Sequence, residues 1–270
     1  MDALAILLPS FCVGALMLLT HAYLGMHVLA RGIIFIDLAL AQVAALGLSV
    51  AFLFGQEAHG TEAQFYAFGA TLAAAVAFAK LREIPSKTAR EVTIGCVYVV
   101  ATALSIVILS RSSQGMEELK ALFNGNILWV NWPEIAVMGG VYAALALLHA
   151  LYRRRFYALS FENNDARPGF LWEFMFFASF AVVITLAVNI AGILLVFAFL
   201  IIPAFSSSIL AGTFMARLIT AWVLALVGSI AGLWLSYAAD LPTGATVVSV
   251  FGALPFCALI ARWAVPALRR

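Results

Sequence analysis

The sequence predicts an all-α integral membrane protein, a bundle of about nine transmembrane helices. Of its 270 residues, 65% are hydrophobic and only 10% are charged, whereas soluble domains carry about 25% charged residues. Apolar stretches of roughly 20 residues recur along the whole chain, which is the length that a helix needs to cross a hydrocarbon core about 30 Å thick. These stretches are continuous rather than alternating, which argues against the strands of a transmembrane barrel.

Nine apolar segments follow one another along the chain, separated by short polar stretches. They cover residues 4–26, 33–54, 64–81, 92–110, 133–152, 171–190, 193–211, 218–238 and 244–263. No linker or soluble domain interrupts this series, so we expect a single transmembrane domain over residues 1–270.

The basic residues predict the orientation of the chain, because cytoplasmic loops hold the excess of Lys and Arg. With the N-terminus outside, 13 of the 15 Lys and Arg residues fall on the cytoplasmic side, and only Arg111 and Lys120 fall outside. The opposite orientation would reverse that count. Nine spans then place the C-terminus in the cytoplasm.

One cytoplasmic stretch, RRRFYALSFENNDARPG at residues 153–169, is too polar for the membrane and too short for a domain. A short helix lying along the cytoplasmic surface would fit it.

The sequence contains no motif that would supply chemistry. It has no GxxxxGK[ST] phosphate loop, no HExxH and no GxSxG. Its cysteines, Cys12, Cys96 and Cys257, lie far apart in apolar runs and read as small buried hydrophobes. The chain is therefore not expected to be an enzyme, and an intramembrane enzyme remains the minor alternative.

A few polar side chains fall inside the apolar segments. Asp37 is the first candidate, since an ionised group in a span costs about 2.5–3.5 kcal/mol on insertion scales and so calls for a function or a partner such as Arg31. Asn189 either bonds across helices or lines a path. His21 and His149 are lone imidazoles that we interpret as packing or interface residues.

Five segments, read together, resemble a known family. They are LGMHVLARGIIFIDLALAQVAALG (24–47), TIGCVYVVATALSIVIL (93–109), LKALFNGNILWV (119–130), NIAGILLVFAFLIIPAF (189–205) and LSYAADLPTGATVV (235–248). In this order they resemble the motifs of the permease subunit of ATP-binding-cassette (ABC) importers for zinc, manganese or iron(II). The resemblance extends over nearly the whole chain and implies a fold similar to that of the cobalamin-importer permeases.

The resemblance also implies a coupling loop within FENNDARPG (161–169), which would seat in a cleft of the ATPase subunit. Phe161, Ala166 and Gly169 match the family pattern, and Glu162 stands where the family has aspartate. The charge distribution independently places this stretch in the cytoplasm.

The chain departs from the family in its second span. Alignment on Phe35 and Gly47 puts Gln42 where the family has histidine, and the aspartate stands one residue early, as Asp37. A separation of five residues leaves Asp37 and Gln42 roughly 140° apart on an α-helix. One straight helix would therefore not bring both side chains to one ion. Asp37, Gln42 and Asn189 are the predicted substrate path, with Asp37 the candidate metal ligand.

The sequence thus predicts the permease subunit of an ABC importer for a divalent transition metal ion, in a bacterial plasma membrane. Expected partners are cytoplasmic ATPase subunits, an external metal-binding protein, a second permease copy and membrane lipid, but no nucleic acid. We expect no cofactor on this chain, since ATP would be bound by the partner subunit. The alternatives are a permease for a metal chelate, such as a siderophore or cobalamin-like cargo, and a secondary transporter that works without an ATPase.

Overall fold

The computed structural model describes residues 3–56, 60–111, 117, 125, 127–162 and 169–264. The regular structure of these residues is helical throughout, which confirms the predicted fold class. The α-helices are α1 (Ala3–Arg31), α2 (Ile36–Leu53), α3 (Thr61–Lys80), α4 (Lys87–Leu109), α5 (Trp132–Leu151), α6 (Arg153–Phe161), α7 (Phe170–Ala191), α8 (Ile193–Leu210), α9 (Phe214–Ala239) and α10 (Thr243–Ala264). Short 3-10 turns lie at Leu81–Glu83 and Ile127–Trp129.

Among the described residues, nine helices, all except α6, are long and apolar enough to cross a membrane. This agrees with the nine predicted segments. Where a polar residue caps a helix, that helix begins up to five residues before the predicted apolar segment. Ser86 Oγ accepts a hydrogen bond from Ala89 N at 3.2 Å at the start of α4, and Thr213 Oγ1 accepts from Ala216 N at 3.3 Å at the start of α9. Such caps satisfy the first backbone N–H groups of a helix, so they lie outside the apolar run.

Helix packing divides the chain into two compact units. The first unit comprises Met1–Leu29, Asn124–Ala144 and Ile190–Arg270, and the second comprises Ala30–Phe123 and Leu145–Asn189. The long helices α1 and α5 thus each contribute residues to both units.

In the first unit, α8, α9 and α10 pack against one another. The backbones of α9 and α10 approach closely at Gly232, where an added Cβ would lie 2.8 Å from the Cα of Val247. Phe199 on α8 meets Phe251 on α10 edge to face, with ring centroids 4.8 Å apart. Small residues at a helix crossing permit this close packing in membrane proteins.

In the second unit, α2 packs against both α3 and α4. A Cβ added at Gly47 would lie only 2.6 Å from the backbone oxygen of Tyr66 on α3. The small apolar side chains of this contact form one buried cluster, Ala44, Leu48, Ala51, Ala63 and Ala67. Helix α7 joins α3 through a hydrogen bond of 3.1 Å from Thr185 Oγ1 to Thr71 Oγ1. Helix α2, which carries Asp37 and Gln42, is therefore held on two sides.

Candidate substrate path

Asp37 and Gln42 are buried polar residues of α2, with exposed fractions of 1% and 0%. Within the described part of the chain, neither carboxylate oxygen of Asp37 and neither amide atom of Gln42 has a hydrogen-bond partner. Buried polar groups are normally hydrogen-bonded, and leaving one unsatisfied costs about 1–3 kcal/mol, with more for a charged group. Two such residues in one helix make this part of α2 the candidate substrate path.

The turn between α1 and α2 positions Asp37. Gly32 has a φ of 65°, a conformation that glycine adopts at little cost. The backbone N–H of Phe35 donates a hydrogen bond of 2.9 Å to Glu91 Oε1 on α4. Asp37 follows in the first turn of α2, where the helix dipole favours a negative charge. The Glu91 carboxylate thus holds the turn that precedes Asp37.

Asp37 and Gln42 lie on different faces of α2. The helix is continuous from Ile36 to Leu53, so the separation of about 140° expected for five residues applies to it. By the same geometry, Asp37 lies within about 40° of the stripe Ala44, Leu48 and Ala51, which belongs to the α2–α3 contact. Gln42 lies well away from that stripe. The two side chains therefore do not form one closed site on α2.

The donor chemistry of this pair is that of oxygen ligands. A carboxylate and an amide oxygen suit hard cations such as manganese better than they suit zinc, which favours imidazole and thiolate. No group of three or more His, Cys, Asp or Glu side chains within the described residues could hold a metal ion together. Sparse donors on separate faces can pass a cation along a path without trapping it, as conduction requires.

Asn189 lies near the C-terminal end of α7 and is half-buried. Its Nδ2 atom is buried without a hydrogen-bond partner among the described residues, and no hydrogen bond joins it to Asp37 or Gln42. Helix α7 ends two residues later, and Gly192 follows with a φ of 77°. The structure therefore places Asn189 beside a helix break.

The two histidines that the sequence marked as packing residues differ from each other. His149 is engaged: its Nε2 lies 2.9 Å from Ser179 Oγ, and its ring stacks on Phe156. His21 is fully buried in α1, with Nδ1 3.1 Å from Met17 O and with Nε2 unsatisfied among the described residues. The arrangement of His149 is that of a packing residue.

Sequence reasoning missed a buried ion pair at the start of α7. Arg31, the last residue of α1, forms an ion pair with Glu173, and the two side chains are 8% and 5% exposed. The guanidinium carbon also lies 4.6 Å from the ring centroid of Phe176 and 4.9 Å from that of Phe177. The partners are 142 residues apart, so no local pattern reveals them.

The predicted cytoplasmic helix is present as α6, which ends at Phe161. The Phe161 ring stacks on Tyr157 with a centroid distance of 4.9 Å, and Glu162 follows as an exposed residue. Gly169 O accepts a hydrogen bond of 3.0 Å from Trp172 N in the first turn of α7. Ala166, the remaining candidate coupling residue, lies outside the described residues.

Comparison with known proteins gives relatives of similar length. The chain is 25% identical over 242 residues to the manganese transport system membrane protein MntC of Listeria monocytogenes, covering 88% of this chain and 84% of that protein. It is 27% identical over 223 residues to MntB of Synechocystis, also named a manganese transport system membrane protein, covering 81% and 68%. Its fold matches a chain of PsaBC from Streptococcus pneumoniae, solved in complex with Fab, with a TM-score of 0.78, 19% identity and coverage of 99% and 96%.

The model of the ABC 3 transport family matches residues 3–262. That range includes all nine apolar helices apart from two terminal residues of α10. A match over this extent agrees with the resemblance drawn from the motifs. The chain belongs to the ABC 3 transport family.

Proposed function

We propose that this chain is the membrane-spanning permease subunit of an ATP-driven importer of a divalent transition metal ion. The single observation that carries the proposal is the Asp37 carboxylate, which is buried in a membrane helix without a hydrogen-bond partner in the described part of the chain. A carboxylate at such a place is costly, and ionisable groups inside spans commonly mark ion pathways. Gln42 adds a second oxygen donor farther along the same helix.

Manganese is the cargo that two considerations favour. The relatives from Listeria monocytogenes and Synechocystis are named for manganese transport. The oxygen donors of Asp37 and Gln42 match the ligand preference of manganese more closely than that of zinc. Iron(II) and zinc remain within the proposed class of cargo.

The proposed importer works by alternating access. One transmembrane permease domain, residues 1–270, would pair with a second permease copy and with two cytoplasmic ATPase subunits that bind the ATP. An external metal-binding protein would deliver the ion. The segment around Phe161, Glu162, Ala166 and Gly169 would seat on the ATPase and pass its closure to the membrane helices, and the whole would reside in a bacterial plasma membrane.

Metal uptake tests this proposal directly. Cells would produce the permease with the ATPase and binding protein encoded beside it, and elemental mass spectrometry would measure manganese, iron and zinc. We expect one metal to accumulate with the wild type. Asp37→Asn keeps the shape of the side chain but removes its charge, and should lower uptake by about tenfold or more, since each loss of about 1.4 kcal/mol of cation binding is a factor of ten.

Glu62→Gln is the matched control, because it makes the same chemical change at an exposed residue in the first turn of α3. Its uptake should equal that of the wild type. Equal uptake by Asp37→Asn, at equal amounts in the membrane, would remove Asp37 from the path. If no metal accumulates although the complex assembles, the cargo is not a bare ion, and a metal chelate becomes the candidate.

A further inference from the structure

We infer that Arg31 and Glu173 are positioning residues that couple the cytoplasmic helix α6 to the start of α2, where Asp37 lies. The inference rests on the proposed function in one respect, namely that α6 and the segment after it receive the movement of an ATPase. All the contacts that join α6 to the start of α2 lie within the second unit of the chain.

The first link fixes α6 to the ends of α5 and α7. Phe156, on the inner face of α6, is fully buried and stacks on His149 of α5 with ring centroids 3.9 Å apart and an interplanar angle of 5°. The same phenylalanine meets Trp172 of α7 edge to face at 6.0 Å. Arg155 lies with its guanidinium carbon 5.8 Å from the Trp172 ring centroid. Helix α6 therefore moves with the first turn of α7.

The second link joins that first turn of α7 to the end of α1. Glu173, the residue after Trp172, forms the buried ion pair with Arg31. The rings of Phe176 and Phe177, one turn farther along α7, lie beside the same guanidinium. A buried ion pair with aromatic faces on the cation has a narrow range of acceptable geometry, because a displacement would leave a charge without its partner in an apolar setting.

The third link leads from Arg31 to Asp37. Only the turn at residues 32–35 separates the end of α1 from α2, and it is held on its far side by the hydrogen bond from Phe35 N to Glu91 Oε1. A shift of Arg31 relative to α4 must be taken up in this short turn. The first turn of α2 is the next element, so the shift changes how the Asp37 carboxylate is presented.

Stability alone does not account for a charged pair at this place. A buried ion pair contributes little net stability compared with well-packed apolar residues of similar volume, but it specifies one arrangement of the groups around it. A link between a moving helix and a substrate path needs that specificity. Among the described residues, Arg31 and Glu173 form the one salt bridge between α1 and α7, and this pair provides that specificity.

Hydrogen–deuterium exchange on the permease–ATPase complex in lipid nanodiscs, with and without Mg·ATP and vanadate, tests the link in the absence of the transported metal. In the wild type, we expect trapping with ATP to change exchange both in residues 153–161 and in residues 32–42. In Glu173→Gln, the change in residues 153–161 should persist while the change in residues 32–42 is lost. In a separate transport assay of the same variant, with the metal present, the number of ions transported per ATP hydrolysed should fall.

Thr185→Val serves as the control, because it removes a buried hydrogen bond between α7 and α3 that is not part of this link. This variant should keep the wild-type exchange response to ATP both in residues 153–161 and in residues 32–42. If Glu173→Gln fails to assemble, Arg31→Lys is tested in its place. This substitution keeps the ion pair with Glu173 but removes the planar guanidinium that lies against the rings of Phe176 and Phe177. We expect it to reduce the response in residues 32–42 to about half or less.

The inference would be overturned if residues 32–42 of Glu173→Gln showed the wild-type exchange response to ATP. Where Glu173→Gln does not assemble, the same result in Arg31→Lys would overturn it. So would a wild-type complex in which residues 153–161 respond to ATP but residues 32–42 do not, or one in which neither does. These exchange outcomes leave the proposed metal import untouched, because the transported metal is absent from the exchange experiment. Failure of the permease to form any complex with the ATPase would instead count against the proposed function.

Discussion

The side-chain amide of Gln42 lies fully buried in α2, and neither its oxygen nor its nitrogen is hydrogen-bonded within the described part of the chain. A residue that served packing alone would be improved by an apolar side chain of similar size, because the unsatisfied amide costs about 1–3 kcal/mol. Stability and function therefore make opposite demands at this position.

Gln42→Leu separates these two demands. We expect the melting temperature of the detergent-solubilised permease to stay the same or rise, since the substitution removes the unsatisfied amide at similar volume. Metal uptake should fall, because the second oxygen donor is gone. Thermal-shift measurement on the purified protein and elemental analysis of cells give the two values, and a variant with lower stability and unchanged uptake would show that Gln42 is a packing residue.

The candidate residues differ in how far sequence could predict them. Asp37 stands out because a charge inside an apolar segment is costly whatever surrounds it, and its burial agrees with that expectation. Glu173 gives no such signal, since it lies near the end of an apolar segment, where a charge costs little. Its burial arises only when Arg31, 142 residues away, and the aromatic rings of α7 close around it.

At the scale of helices, the contact between α2 and α3 depends on the absence of a side chain at Gly47. A Cβ there would lie 2.6 Å from Tyr66 O and 2.7 Å from the Cα of Ala67, both of which are backbone atoms that cannot rotate away. The helices would have to separate, and α2 carries Asp37 and Gln42. The position of the path thus depends on this crossing.

Gly47→Ala should destabilise the permease by about 1–3 kcal/mol, the usual cost of overpacking a close contact, and should lower uptake because α2 shifts. Gly69→Ala provides the comparison, since a Cβ at that exposed position of α3 meets nothing within 4 Å. Its melting temperature should equal or slightly exceed that of the wild type, because alanine favours a helix interior over glycine. Equal melting temperatures for both variants would mean that the helices separate at no cost.

The helices were well predicted, and their ends less so. The length of the apolar segments predicted the nine long helices of the described residues, because a helix must be about 20 residues long to cross the lipid. Polar caps such as Ser86 and Thr213 lie outside the apolar segments and extend the helices beyond them. The crossing at Gly47 could not be predicted, since small residues occur on several faces of α2. Which face meets α3 is decided by the partner helix.

At the scale of the whole molecule, the distribution of charge is the strongest feature of the sequence. With the predicted orientation, 13 of 15 basic residues face the cytoplasm. That imbalance predicts which ends of the helices lie in the cytoplasm and which lie outside. The orientation remains a prediction.

Labelling of introduced cysteines tests it. In a background without Cys12, Cys96 and Cys257, Glu62→Cys at the start of α3 should react with a membrane-impermeant maleimide in intact cells. Arg154→Cys, on the exposed side of α6, should react only after the membrane is permeabilised. The reverse pattern would invert the topology and place α6 outside the cell, away from any ATPase.

The ion pair between Arg31 and Glu173 has a consequence for how the protein is made. Arg31 leaves the ribosome 142 residues before its partner, which at about 5–20 residues per second is an interval of roughly 7–30 s. With the predicted orientation, Arg31 lies on the cytoplasmic side of the first hairpin during that interval and would contribute to the orientation of the hairpin. The same side chain would thus act first as a topology signal and later, once α7 is made, as the partner of Glu173 in the second unit.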